Sequence, residues 1–181
     1  MTSSFDILGL GCTAVDESLY VAEFPRADEK TRVLSRERHC GGLTATALVA
    51  GARLGARCGY AGTLGADEHS VFVLQSFQHE GVDVRHVVRR TGAAPVRSVI
   101  VVDEQRHTRN IFFDHSAAVG AHPRLPAKEL IQSARVFLAD RFGVPGMIRA
   151  VRLARAAGVP VVGDFENSAA PRFTELFALI D

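Results

Sequence analysis

A chain of 181 residues, 47% of them hydrophobic, is long enough to bury a core and reads as one globular domain. Its formal net charge of +1 gives no bulk attraction to nucleic acid or to an anionic membrane, so neither is expected as a partner. Cys12, Cys40 and Cys58 form no Cys-x-x-Cys pair, no leader-like segment opens the chain, and no stretch reaches the ~18 apolar residues of a membrane span; no metal site is expected, and the cytoplasm is the default compartment.

Phe5 to Gly11 is a short apolar run closing on Gly-Leu-Gly, the pattern of a buried parallel strand whose C-terminal end opens into a site. Asp16 follows closely, as a turn residue or a cap. Gly9-Leu-Gly-Cys-Thr-Ala14 imitates a dinucleotide-binding fingerprint. That fingerprint requires a helix next, whereas Ser18 to Phe24 alternates like a strand and stops at Pro25. Leu19 to Arg38 reads as two strands around the polar turn Arg26–Lys30. Gly41 and Gly42 then open a helix with Ala45, Leu48, Val49 and Ala52 on one stripe, whose N-terminal amides would face a polar ligand.

Ser70 to Glu80 is a helix with Val73, Leu74 and Phe77 on one face, stopped by Gly81. Val96 to Val102 and His107 to Phe113 are strand-like on either side of a polar turn; His107, Arg109 and His115 could face a ligand or solvent. The spacing then predicts a short helix over Lys128–Ala134, a buried strand over Val136–Ala139 ending at Asp140, a helix over Pro145–Ala157 and a strand over Val159–Val162 leading to Asp164. Strands alternating with helices imply a parallel α/β sheet, and Asp140 and Asp164 stand at strand C-termini, the edge where such sheets bind ligands. Each could instead cap the following helix. Arg149, Arg152 and Arg155 form a basic row opposite Ile148, Val151 and Ala154, the pattern of a solvated face.

The stretch Gly41-Gly42 to Leu54-Gly55, with Gly65-Ala66-Asp67 and Glu80-Gly81-Val82-Asp83 at their spacings, resembles the first signature of the ribokinase-like (PfkB) sugar kinases. The resemblance implies a ribokinase-like parallel-sheet α/β sandwich with a small β lid, the lid strands lying near residues 18–39 and 96–113. It implies a sugar or polyol held by Asp16, Gly41, Gly42, Thr46 and Asp140, with Arg109 as a lid contact and a possible homodimer through the lid. Asp164-Phe-Glu166 stands where the family has an Asp-x-Asn segment. Leu43 and Thr46 stand where many members carry amides; a subset has a Thr matching Thr46, and Leu43 offers a hydroxyl no side-chain hydrogen bond.

The chain stops at Asp181 before the family's second signature, Asp-Thr-x-Gly-Ala-Gly-Asp, which supplies the anion hole and the general base. No catalytic residue is therefore expected within the chain, and ATP and Mg2+ belong to a complete enzyme rather than to these residues alone. The sequence reads as a single incomplete domain lacking the C-terminal ATP-binding part. Its implied activity is phosphoryl transfer from ATP to a sugar or polyol hydroxyl, with this portion binding and not catalysing. The alternatives are a non-catalytic sugar-sensing or interaction module and a nucleoside kinase of the same family.

Overall fold

The computed structural model describes residues 4–166 and 169–181. In chain order its elements are β1 (Phe5–Leu10), β2 (Ala14–Val21), β3 (Val33–Gly41), α1 (Leu43–Arg53), β4 (Cys58–Tyr60), β5 (Thr63–Leu64), α2 (Glu68–His79), β6 (Val88–Arg89), β7 (Val96–Asp103), β8 (Thr108–Asp114), α3 (Lys128–Gln132), β9 (Ala134–Asp140), α4 (Val144–Ala156), β10 (Val161–Asp164) and α5 (Phe173–Phe177).

The main sheet has the order β10-β9-β1-β4, and all its pairings are parallel. Helices cover both faces, which is why β1 and β9 are apolar on both sides. On one side Leu8, Leu10 and Phe137 pack with Met147, Ile148, Val151 and Ala154 of α4. On the other, Leu138 and Tyr60 pack with Ala45 and Leu48 of α1 and with Val73 and Phe77 of α2. Of the apolar stripe expected on α1, Ala45 and Leu48 are buried, while Val49 and Ala52 sit at the partly covered margin.

A second four-stranded sheet, ordered β3-β2-β7-β8, rises from the C-terminal end of the first. It is mixed: β2 and β7 are parallel, while β2–β3 and β7–β8 are antiparallel. Its strands extend further toward the body than expected. β2 begins at Ala14 and β3 runs to Gly41, so Asp16 lies inside a strand, between His39 and Ser98, and not in a turn. His107 belongs to the β7–β8 turn, with a left-handed φ of 52°.

Three local devices were invisible to periodicity. Asp67 caps α2, accepting from the Ser70 amide at 3.1 Å and from its hydroxyl at 2.6 Å, so the helix begins two residues early. Asp83 bonds through its backbone to Cys58 and Tyr60 and covers the outer edge of β4. The row Arg149, Arg152 and Arg155 is not simply solvated: these side chains hold the Pro126 carbonyl, Glu175, and Asp181 with the Leu179 carbonyl. Val159 lies in the loop before β10. Among the described residues no helix is long and apolar enough to cross a membrane.

Candidate functional site

The chain leaving β1, β9 and β10 at their C-terminal ends meets α1 and the second sheet around a cleft of about 710 Å3. Cys12, Arg141, Phe142, Asp164 and Glu166 form its floor. Gly42, Leu43, Thr46, Ala47 and Ala50 of α1 form one wall. The roof is the inner face of the second sheet, and strand alternation selects its residues: Ala14 and Asp16 on β2, Val96, Ser98 and Ile100 on β7, Arg109, Ile111 and Phe113 on β8.

Asp16 is half-buried, and its carboxylate makes no hydrogen bond or ion pair with another described residue. Its carboxylate lies against Gly41, where any Cβ would collide with it. Gly42 is required twice over. Its φ of 99° with ψ of 151° is essentially open to glycine alone, and a Cβ there would stand 2.8 Å from Thr13 Cα and 2.9 Å from Ala14 N. The two glycines therefore let β3 turn into α1 directly beside Asp16 and the start of β2. Thr46, on the exposed side of the first turn of α1, opens onto the same cleft.

The amides at the α1 N-terminus are not all free. Those of Leu43 and Thr44 approach the Cys12 thiol, although burial and the nearby Asp140 outweigh them and push that thiol well above its ordinary range. Arg109 reaches the cleft with no acidic partner among the described residues. Arg141 lies 4.5 Å from the Phe142 ring centroid and pairs with Glu166 at 3.1 Å, while its buried Nε has no hydrogen-bond partner. The His115 ring, stacked on Phe113 and edge-on to Phe142, joins the roof to the floor.

Asp140 departs from its expected place at the ligand. It is fully buried and lines no part of the cleft wall. Its Oδ2 accepts from Cys12 N at 2.6 Å and from Thr44 Oγ1 at 2.9 Å, and its Oδ1 accepts from Phe142 N at 2.8 Å. Burial raises its pKa, the three donors offsetting part of that effect. Gly11 makes the arrangement possible, since a Cβ there would overlap both Asp140 and Thr44. The network ties the ends of β1 and β9 to the first turn of α1, and Tyr60 adds a hydrogen bond to the Gly11 carbonyl at 2.8 Å.

Neither Asp140 nor Asp164 caps the next helix, because the N-caps of α4 and α5 are Gly143 and Arg172. Asp164 is exposed on the cleft floor beside Glu166. Sequence reasoning passed over Arg141, Phe142, Ile111 and Phe113. The last two share the parity of Arg109 on one strand, and that signal was available.

Asp16, Asp164 and Glu166 place three carboxylates on the cleft against the guanidinium groups of Arg109 and Arg141, and Arg141 is already paired, so a polyphosphate would meet repulsion. Among the described residues no cluster of His, Cys, Asp and Glu is arranged to hold a metal ion.

Several known proteins resemble this chain. A 5-dehydro-2-deoxygluconokinase of Shouchella clausii is 26% identical over 170 residues, covering 90% of this chain and 51% of its own length. A nucleoside kinase of Methanothermobacter thermautotrophicus is 24% identical over 135 residues, covering 75% and 43%. The structure of Arabidopsis thaliana ribokinase, solved with ribose and ATP, superposes with a TM-score of 0.79 at 20% identity, over all of this chain and 59% of that one. The chain thus spans about half the length of the S. clausii relative. The profile of the family described as pfkB family carbohydrate kinase matches residues 5–181, and with a ribokinase-like fold beneath that match the chain belongs to this family.

Proposed function

We propose that this chain is the acceptor-binding portion of a kinase that phosphorylates a hydroxyl of a sugar or related polyol, and that it binds this acceptor in the cleft between α1 and the second sheet. The carrying observation is the Asp16 carboxylate, which faces the cleft without a partner at the place where Gly41 and Gly42 bring in the start of α1. A carboxylate with free lone pairs can accept from two neighbouring hydroxyls, and Thr46 Oγ1 can donate to or accept from a third. Asp140 serves as a positioning residue in this reading. It shapes the floor through Cys12, Thr44 and Phe142 and does not touch the acceptor.

Arg109 at the roof gives a second polar contact, and the exposed Phe112, Val99 and Leu34 of the second sheet offer apolar area for a homodimer through the lid. ATP and Mg2+ belong to the whole protein in this reading, with the general base outside residues 1–181.

A second reading is favoured by the size and character of the roof. Ile111 is 48% and Phe113 60% exposed, and both face the cleft, as would suit the flat apolar base of a nucleoside. One calorimetric experiment tests both. The chain is titrated with D-ribose, D-fructose and uridine, and the titrations are repeated with Asp16→Ala. Binding of at least one ligand, weakened by Asp16→Ala, supports the site, and the preferred ligand chooses between the readings. Binding untouched by Asp16→Ala in a stably folded variant overturns it.

A further inference from the structure

The inner face of the second sheet does not end at Asp16. One strand further out, on the edge strand β3, His39 is the residue directly opposite Asp16, Glu37 is opposite Ser18, and Ser35 is opposite Tyr20. Residues paired across antiparallel strands point to the same face, with Cβ atoms about 4.5–5.5 Å apart. The His39 side chain therefore starts beside that of Asp16, on the face that Asp16 presents to the cleft. It also stands two residues before Gly41, where β3 turns into α1.

The imidazole is held from one side only. Glu37 Oε2 accepts from the Tyr20 hydroxyl at 2.9 Å, and His39 Nε2 lies 2.9 Å from the same oxygen. The hydrogen bonds from His39 and Tyr20 lower the Glu37 pKa, so this carboxylate is ionised and can only accept. Nε2 must then carry the proton of the neutral ring, and Nδ1 keeps its lone pair. No other hydrogen bond joins His39 to a described residue, and its side chain is 57% exposed. Two donors converge on one oxygen, and the result is an oriented imidazole with an unused acceptor next to the unused acceptors of Asp16.

We propose that His39 is a further acceptor-binding residue, which extends the site from a diol held by Asp16 to a run of three contiguous hydroxyls. The inference rests on reading the cleft as an acceptor site. Asp16 accepts from two neighbouring hydroxyls, and the next hydroxyl on the β3 side donates to His39 Nδ1. Glu37 is a positioning residue, acting on the ligand only through the tautomer and orientation of the ring. The ligand class is a sugar or polyol with an unbroken triol, since a lone diol gains nothing from His39.

The experiment is calorimetry on the 181-residue chain with D-ribose and D-fructose. For the sugar that binds, His39→Ala is expected to weaken affinity about threefold to tenfold, the effect of one lost neutral hydrogen bond, while the unfolding midpoint stays in place because the side chain is exposed. Glu37→Gln keeps an oxygen that accepts from Nε2 and should bind nearly as the unaltered chain does. Glu37→Ala should bind more weakly, yet add nothing once His39→Ala is present, a non-additivity that two independent surface residues would not show. His39→Ala binding as tightly as the unaltered chain, while Asp16→Ala binds more weakly, overturns the role of His39 and leaves the acceptor site standing. Losses from His39→Ala and Glu37→Ala that simply multiply overturn the positioning role of Glu37. Binding indifferent to both Asp16→Ala and His39→Ala, or no binding of either sugar, overturns the acceptor-site reading and this inference with it.

Discussion

Asp16 and Asp140 are carboxylates on either side of one turn of helix, and their surroundings differ. Asp16 has open lone pairs on a cleft, whereas every hydrogen bond that Asp140 accepts comes from within the chain. Charged hydrogen bonds contribute about 1.5–3 kcal/mol each, so Asp16→Ala is expected to weaken acceptor binding at least about tenfold with little change in the unfolding midpoint. Asp16→Asn should lose less, since its amide oxygen still accepts. For Asp140→Ala the expectation is reversed. Two amides and a hydroxyl would be left buried without an acceptor, and about 3 kcal/mol or more of stability should go, visible in denaturant unfolding. Asp140→Asn would turn an NH2 toward one of those donors and should rescue only part. Calorimetry and unfolding on the same four variants separate a ligand contact from a structural anchor.

At the scale of elements, the β3–α1 junction concentrates the constraint. Gly42→Ala forces a conformation that costs about 1–3 kcal/mol and drives a methyl into Thr13 and Ala14, so unfolding should show a loss of at least about 2 kcal/mol. Gly55, also at positive φ but with open space where a Cβ would go, should lose less on the same change. The β7–β8 hairpin carries a pH signature. Arg97, with the Ser116 amide, lowers the Asp114 pKa from 3.8 to about 2. The folded value lies below the unfolded one, so this contribution is whole above about pH 4 and is lost as the pH falls toward 2. Asp114→Asn should flatten that part of the acid-unfolding curve, and amide exchange in β8 should locate the change.

Across the whole molecule, the main sheet ends at β10, whose outer edge pairs with no other described strand and where Val162 is 52% exposed. Together with the exposed Phe177, this leaves apolar surface near the sheet edge, although Asp181 bonds both backbone groups of Val161 there. Residues 1–181 are expected to bind an apolar-surface dye in the native state and to show no ATP-dependent sugar phosphorylation. Turnover abolished by a single substitution within the chain would refute the second expectation, and a monomer that binds no dye would refute the first.

The sequence by itself determined most of the alternation of strands and helices along the chain that builds a parallel sheet, because buried parallel strands are short apolar runs and the helices between them carry 3.6-residue stripes bounded by Gly and Pro. Only the resemblance to ribokinase-like kinases groups Asp16, Gly41, Gly42 and Thr46; the structure sets Asp16, Gly42 and Thr46 on one cleft, with Gly41 against Asp16. Tertiary structure alone decided the rest. The strand reach that moved Asp16 from a turn into β2 depends on pairing with β3 and β7, partners remote in sequence. The withdrawal of Asp140 from the cleft depends on Cys12 and Thr44, 128 and 96 residues away. The contacts of Arg38 with Glu68, His69 and Phe72 of α2 are likewise set by the packing of sheet against helix, which leaves no periodic trace in either segment.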